Sequence, residues 1–252
     1  MVKVIMSGCA GRMGRVITQL ALEDSGIEIA AGVDVVSAAD LGYPVFTSFA
    51  DCDVQADVII DFSSPKAFDA MISYAQEKGL AAVVCTTGLE QAQLEQLEAA
   101  AEKIAVLRSA NMSVGINLLM NLLQKAAPVL AQAGFDIEIV EQHHNRKKDA
   151  PSGTAIALAD CINEAMDGKY SYTYDRTPLY EQRRENEIGI SSVRGGTIVG
   201  VHDVLFAGTD EVIELKHTAY SRAIFGKGAI AAAKYLQGKA AGFYHMSDVI
   251  EG

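Results

Sequence analysis

The sequence predicts an α/β protein: an N-terminal Rossmann-type, doubly wound parallel sheet plus a smaller α/β domain with a mixed sheet. Three observations carry this. Within the first 110 residues, short apolar, β-branched runs alternate with amphipathic helical stretches, the pattern of strand, crossover helix and parallel strand. The first strand runs straight into a glycine-rich turn, GCAGRMG, at residues 8 to 14. After Asn111 that alternation gives way to a long apolar helix, a polar segment and strands of alternating polarity.

The runs VKVIMSG (2 to 8), IEIAAGVD (27 to 34), DVIIDFS (57 to 63), AAVVCTTG (81 to 88) and KIAVLRSA (103 to 110) read as strands. Their continuous apolar character predicts burial on both faces of a sheet. RMGRVITQLALED, SPKAFDAMISYAQEKG and LEQAQLEQLEAAAEK read as the intervening helices. The second starts on serine and proline and ends on Gly79, the expected asymmetry of helix ends. Beyond them, GINLLMNLLQKAAPVLA predicts a long helix interrupted near Pro128, DIEIVEQHH a strand, and residues 152 to 167 a further helix. The polar, tyrosine-rich stretch from 168 to 195 has few periodic cues and is expected to be loop. TIVGVHDVLFAGTDEVIELKHTAY reads as strands joined by a hairpin turn at residues 207 to 210. The last helix, near RAIFGKGAIAAAKYLQG, is compatible with either domain.

A chain of 252 residues with 50% hydrophobic and 21% charged residues has the composition of a folded globular protein with one large or two smaller domains. Against 21 Lys and Arg stand 32 Asp and Glu, for a net charge of -11. That balance argues against nucleic-acid binding and against an anionic membrane surface, so an anionic ligand has to be attracted locally. Cys9, Cys52, Cys85 and Cys161 form no C-x-x-C pair, which points away from zinc and from a disulfide framework and suits a reducing cytoplasm. The N-terminus reads as a short strand rather than a signal peptide.

In GCAGRMG, the turn lets backbone approach a pyrophosphate, and the start of the following helix adds N–H groups and a positive dipole end. Gly11 and Gly14 fit the second and third glycines of G-x-G-x-x-G, but Cys9 holds the first place and Gly8 comes one residue early. A tight strand-to-helix turn without ligand is the alternative. Asp34 closes the second strand 20 residues after Gly14, where a carboxylate accepts hydrogen bonds from ribose hydroxyls. About 4 Å from the 2′-phosphate of NADP it would be repelled by about 4 kcal/mol per unit charge at an effective dielectric of about 20. Val35 and Val36 follow, with no basic partner there, although Arg12 and Arg15 remain as substitutes. NADH is therefore the expected cofactor, and NADPH stays open as a second one. CTTG (85 to 88) and SANMS (109 to 113) end strands at the same carboxyl edge, where such sheets bind ligands.

The stretch EQHHNRKKDAPSGTA, residues 141 to 155, concentrates positive charge in an acidic chain. His143 and His144 end a strand, so their side chains point to opposite faces. A metal is disfavoured beside Arg146, Lys147 and Lys148, and no H-E-x-x-H accompanies the pair. Asp149 and Ser152 are capping residues before an apolar helix, and Ser152, Gly153 and Thr154 offer donors to an anion. A histidine with a reference pKa near 6.5 suits general-acid work at neutral pH, and Lys147 suits holding a carboxylate or assisting the proton. A capped surface helix after a basic loop is the alternative.

These residues closely resemble the signature of the dihydrodipicolinate reductase family, roughly E-x-H-H-x-x-K-x-D-A-P-S-G-T-A. The resemblance extends through GCAGRMG, DFSSP, CTTG, ANMSVGIN and SRAIFGKGA, nearly the whole chain in order. It implies that His143 donates and accepts the proton, that Lys147 is a second proton donor, that His144 binds substrate, and that Gly153 and Thr154 hold a substrate carboxylate. On the cofactor side it implies Gly8, Cys9, Ala10, Gly11, Arg12 and Met13 at the pyrophosphate and Asp34 at the ribose. Cys85, Thr86 and Thr87 fall beside the nicotinamide, and Ser109, Ala110, Asn111 and Met112 close over it.

The reaction implied is NAD(P)H-dependent hydride transfer to C4 of a cyclic imine diacid with protonation at C3, in diaminopimelate and lysine biosynthesis. The family likeness further implies a cytoplasmic homotetramer. It places residues 1–112 and 223–252 in a dinucleotide-binding domain and 113–222 in a substrate-binding and oligomerisation domain. Cys85, Met112 and Val35 depart from the family's usual glycine, phenylalanine and arginine. Competing readings are another amino-acid dehydrogenase of similar plan, or a nucleotide sensor, which would need neither His143 nor Lys147.

Overall fold

The computed structural model describes all 252 residues. Its elements run β1 (Val2–Ser7), α1 (Arg12–Leu22), β2 (Ile27–Val33), β3 (Val45–Phe46), β4 (Val58–Asp61), α2 (Pro65–Lys78), β5 (Ala81–Val84), α3 (Gln91–Ala101) and β6 (Ala105–Arg108). There follow α4 (Val114–Gln132), β7 (Asp136–His143), α5 (Gly153–Ala165), β8 (Ser171–Thr173), β9 (Glu187–Arg194), β10 (Gly200–Ala207) and β11 (Val212–Ala219). The chain ends with α6 (Ala223–Leu236), β12 (Gly242–Tyr244) and α7 (Met246–Glu251). Two compact units form, Met1–Val114 with Arg222–Gly252, and Gly115–Ser221.

The first unit holds a seven-stranded sheet in the order β12-β6-β5-β4-β1-β2-β3, with every pair parallel. Strands β4 and β5 are buried at every residue, because crossover helices cover both faces and leave no polar side. Order reverses at β1, flanked by β2 and β4, which opens a crevice at the carboxyl ends of those strands. Pro65 starts α2 and Gly79 ends it in a left-handed conformation, as the sequence predicts. The last helix, α6, belongs here. Ala229, Ile230, Ala232, Ala233 and Leu236 pack into the same core as Val4, Met6 and Val83.

The second unit holds a mixed sheet in the order β11-β10-β7-β9-β8, with β7 antiparallel to β10 and parallel to β9. Helices α4 and α5 lay Leu119, Leu123, Leu158 and Ile162 against Ile137, Ile139, Ile188, Ile190 and Phe206. Each such large apolar side chain contributes about 1.5–3 kcal/mol by its burial. By length and composition α4 is apolar enough to cross a membrane, but Ile116, Leu119, Leu123 and Ala127 pack on this sheet instead.

Two sequence expectations are corrected here. The stretch 168–195 is not a loop throughout, because it supplies β8 and β9, and β9 lies between β7 and β8. Only Ile188 and Ile190 of β9 give a buried apolar alternation; the outer half, Ser191 to Arg194, is largely exposed with Val193 its one apolar residue, so pairing with β7 and not local hydrophobicity makes the strand. Pro128 does not interrupt α4. The missing N–H removes one bond near the end of the helix, while buried Leu123 and Ala127 keep this segment on the sheet.

Candidate active site

The glycine-rich turn lies at the reversal of strand order. Gly8 takes φ +78°, and a Cβ there would come within 2.6 Å of the Phe62 carbonyl oxygen. A Cβ on Gly14 would stand 2.4 Å from the Gly8 carbonyl oxygen. Both positions need glycine because backbone meets backbone. This explains the displaced motif: Gly8 rather than residue 9 supplies the positive φ, while the Cys9 side chain is buried in the core, against Gly32, where a Cβ would stand 2.5 Å from its Sγ.

Asp34 follows β2 and is half-buried; its Oδ2 accepts the Ala10 N–H at 3.0 Å and its Oδ1 that of Val36 at 3.2 Å. With Ser7, Gly8, Gly11, Val35 and Lys66 it lines a cavity of about 580 Å³. A second cavity of about 320 Å³ is lined by Met13, Cys85, Thr86, Thr87, Ser109, Ala110 and Met112, and shares Phe62 and Ser63 with the first. Most of the predicted cofactor residues therefore line two adjoining cavities. Cys9, Ala10, Arg12 and Asn111 line neither of these, and Arg15 is engaged with Asp40 at 2.6 Å.

Asp61 was not singled out by the sequence. Fully buried at the end of β4, it accepts from Thr86 Oγ1 at 2.7 Å and Ser63 Oγ at 2.6 Å, which fastens both strand-end loops around the smaller cavity. Backbone cradle, helix start, ribose-side acid and adjoining cavity together fit a dinucleotide.

In the second unit, alternation along β7 puts Ile137, Ile139, Glu141 and His143 on the buried face. His144 falls on the other side and is half-buried, with no hydrogen bond to its Nδ1. His143 Nδ1 lies 2.6 Å from Glu141 Oε2. Arg194 from β9 reaches both Glu141 oxygens, at 2.7 and 2.5 Å, and the Ser152 N–H donates to Oε1 at 3.0 Å. Ser152 caps α5 by accepting from the Ala155 N–H at 3.1 Å, and its Oγ is 2.9 Å from His202 Nε2. Gly153, the first residue of α5, is exposed, with nothing within 4 Å of a Cβ built on it, and half-buried Thr154 follows it in the first turn. Of the three cations, Arg146 and Lys148 are exposed, whereas Lys147 is half-buried and paired with Asp149 at 2.8 Å.

Burial would raise the Glu141 carboxyl, but hydrogen bonds from Arg194, His143 and Ser192 outweigh it and hold it down at about 2. The same burial lowers the His143 imidazole; Glu141 offsets part of this, and the positive charges of Lys147 and Arg194 add to it. Glu141, Arg194 and His202 escaped the sequence reading. Glu141 was within reach, two residues before His143 on the same strand face. Arg194 was not, since its segment carried no strand signal.

A glycine-rich turn and a carboxylate at the strand-order reversal of one unit, and a buried histidine paired with a carboxylate in the other, fit one class: a nicotinamide-dependent oxidoreductase built on a Rossmann-type sheet. Comparison makes this particular. Residues 2–112 match the family described as dihydrodipicolinate reductase, N-terminus, and residues 115–250 its C-terminus. The chain belongs to the dihydrodipicolinate reductase family. It is 49% identical over 251 residues to the 4-hydroxy-tetrahydrodipicolinate reductase of Caldanaerobacter subterraneus subsp. tengcongensis, covering 100% of this chain and 99% of that one. It is 46% identical to the enzyme of the same name from Clostridium novyi, with the same coverage. Among solved structures, a dipicolinate-bound dihydrodipicolinate reductase from Paenisporosarcina sp. TG-14 shares the fold, with TM-score 0.83, 24% identity and 97% coverage of each chain. A scyllo-inositol dehydrogenase from Lactobacillus casei with bound NAD(H) aligns at TM-score 0.60, 13% identity, covering 100% of this chain and 93% of that one.

Proposed function

We propose that this chain is a 4-hydroxy-tetrahydrodipicolinate reductase of diaminopimelate and lysine biosynthesis. It reduces dihydrodipicolinate, the conjugated imine diacid left when the 4-hydroxy compound loses its C4 hydroxyl and a C3 hydrogen as water, to tetrahydrodipicolinate, hydride going to C4 and a proton to C3. The observation that carries this reading is the pairing of His143 with Glu141 at 2.6 Å, on a carboxylate that also accepts from Ser152 at the start of α5. A proton donor and an anion-binding helix end are thereby tied together.

The bound nicotinamide supplies the hydride. Gly8 to Met13 cradle its pyrophosphate and Asp34 its ribose, while Cys85 to Thr87 and Ser109 to Met112 surround the ring. His143 delivers the proton at C3, with Lys147 as second donor. His144, whose buried Nδ1 has no partner in the protein, turns to the substrate, and the N–H groups of Gly153 and Thr154 hold a carboxylate. The unit of residues 1–112 and 223–252 binds the dinucleotide; residues 113–222 bind substrate and assemble a homotetramer in the cytoplasm.

NADH is the preferred cofactor. Asp34 is followed by exposed Val35, and Arg15, the nearby cation, is taken up by Asp40. Lys66, which lines the same cavity as Asp34, and exposed Arg12 leave NADPH usable. The test is a coupled assay on the condensation product of pyruvate and aspartate semialdehyde, following NADH and NADPH oxidation separately. Oxidation with both, faster with NADH, is expected. No oxidation with either defeats the reading, and a strong NADPH preference defeats its cofactor part. A solution mass other than four chains defeats the tetramer.

A further inference from the structure

Glu141 has no accessible surface, yet it is ionised and fully occupied. Its Oε2 takes His143 Nδ1 and one Arg194 nitrogen; its Oε1 takes the other Arg194 nitrogen and the Ser152 backbone N–H. A carboxylate offers about four acceptor sites, so these four donors, with the Ser192 side chain in addition, saturate it and fix its plane. Arg194 is itself held, donating to the carbonyl oxygens of Val193 at 2.8 Å and Asp149 at 2.6 Å. Neither partner has freedom to turn.

We propose that Glu141 is the positioning residue of this site: it fixes the neutral His143 ring with its hydrogen on Nδ1, so that Nε2 is the atom that takes up and delivers the proton. The inference rests on the reading of His143 as proton donor. An ionised carboxylate only accepts hydrogen bonds, so a nitrogen 2.6 Å from it carries the hydrogen. The second nitrogen is then the basic one. Its surroundings fit that role. Nε2 lies against Gly200, where a Cβ would come to 3.1 Å, so glycine at this position keeps the approach to that atom uncrowded. The same carboxylate fixes the Ser152 end of the anion-binding helix, and ring and helix are therefore set by one group.

A purely structural Arg194–Glu141 pair would stabilise the fold without caring which nitrogen of His143 is protonated. Two-bond ¹H–¹⁵N correlations on histidine-labelled protein, assigned by comparison with His143→Gln, separate the two. Above the His143 titration the wild-type spectrum is expected to carry the pattern of protonated Nδ1 and unprotonated Nε2. The opposite tautomer overturns the proposal, and this measurement needs no variant at position 141 to fold.

In Glu141→Gln the amide can present its NH₂ to Nδ1 and favour the opposite tautomer, so kcat falls by about 10²- to 10⁴-fold, more than KM changes. The charged groups that face His143 are Glu141 from its own strand, Lys147 from the following loop and Arg194 from β9, and the titratable but neutral His202 faces it from β10. Loss of the only negative one moves the His143 titration to lower pH. A folded Glu141→Gln protein with wild-type kcat and pH profile overturns the proposal. If the tautomer is as stated but His143→Gln still turns over substrate, the proton-donor reading falls and takes the catalytic role of Glu141 with it, while the orientation of the ring stands.

Discussion

His202 Nε2 lies 2.9 Å from Ser152 Oγ, so a buried histidine is attached to the residue that caps α5. Burial first, and then the neighbouring His143, pull the His202 imidazole down to about 4 from 6.5. It is therefore neutral in the folded protein at neutral pH. The unfolded chain takes up this proton near pH 6.5, the folded one only near 4. Stability from this group is thus full above pH 6.5 and is lost as pH falls from 6.5 toward 4, by about 3 kcal/mol. Urea denaturation at a series of pH values will show that decline in the wild type and a flatter curve in His202→Gln. Equal slopes in the two proteins would remove His202 from the explanation. Glu141, held at about 2, adds its own loss only below the usual carboxylate range, as pH falls from 4.5 toward 2.

A structural prediction concerns α6. A Cβ on Gly228 would lie 1.6 Å from the Met112 carbonyl oxygen, and backbone cannot yield as a flexible side chain does. Gly228→Ala is expected to cost about 3 kcal/mol, the upper part of the usual range for overpacking, and to disturb Met112, which lines the smaller cavity. Gly195→Ala, where a Cβ meets nothing within 4 Å, should be close to neutral. Thermal unfolding of the two variants side by side checks the contrast.

What the sequence revealed and what it hid divide along physical lines. The parallel strands were legible because burial on both faces leaves long apolar runs, as in VIID and AAVV. The grouping of His143, Lys147 and Ser152 between β7 and α5 was legible because these residues are close in the chain. Strand β9 was hidden, since its outer half is largely exposed and mostly polar and its place comes from pairing with β7. Arg194 was hidden with it, 53 residues from the carboxylate it clamps. Tertiary pairing, not local pattern, made both.

In the proposed function cofactor choice turns on Asp34, whose two oxygens accept the Ala10 and Val36 N–H groups and which lines the larger cavity. Replacing that charge removes the repulsion of a 2′-phosphate and also the ribose acceptor. Asp34→Ser should raise the NADPH to NADH ratio of kcat/KM by tenfold or more, since even a fraction of the about 4 kcal/mol repulsion gives that factor. Lys66→Ala, which takes a cation from the same cavity, should move the ratio the other way. Steady-state kinetics with both cofactors decides, and an unchanged ratio in Asp34→Ser would show that the acid does not discriminate.

The last prediction is a split in the pH profiles. In the free protein, burial holds the His143 imidazole below its usual range; Glu141 raises it, and Lys147 and Arg194 lower it further, with neutral His202 edge-on at 5.2 Å between ring centres. A general acid works only while protonated, so kcat/KM, which reports the free enzyme, should fall as pH rises through a value below 6.5. A bound dicarboxylate adds negative charge near this ring and favours the imidazolium. The descending limb of kcat, which reports the complex, should therefore sit at higher pH than that of kcat/KM. Lys147→Ala removes a positive neighbour and should carry the kcat/KM limb upward at reduced rate. Coincident limbs in the wild type, or a limb unmoved by Lys147→Ala, would mean that another group supplies the proton.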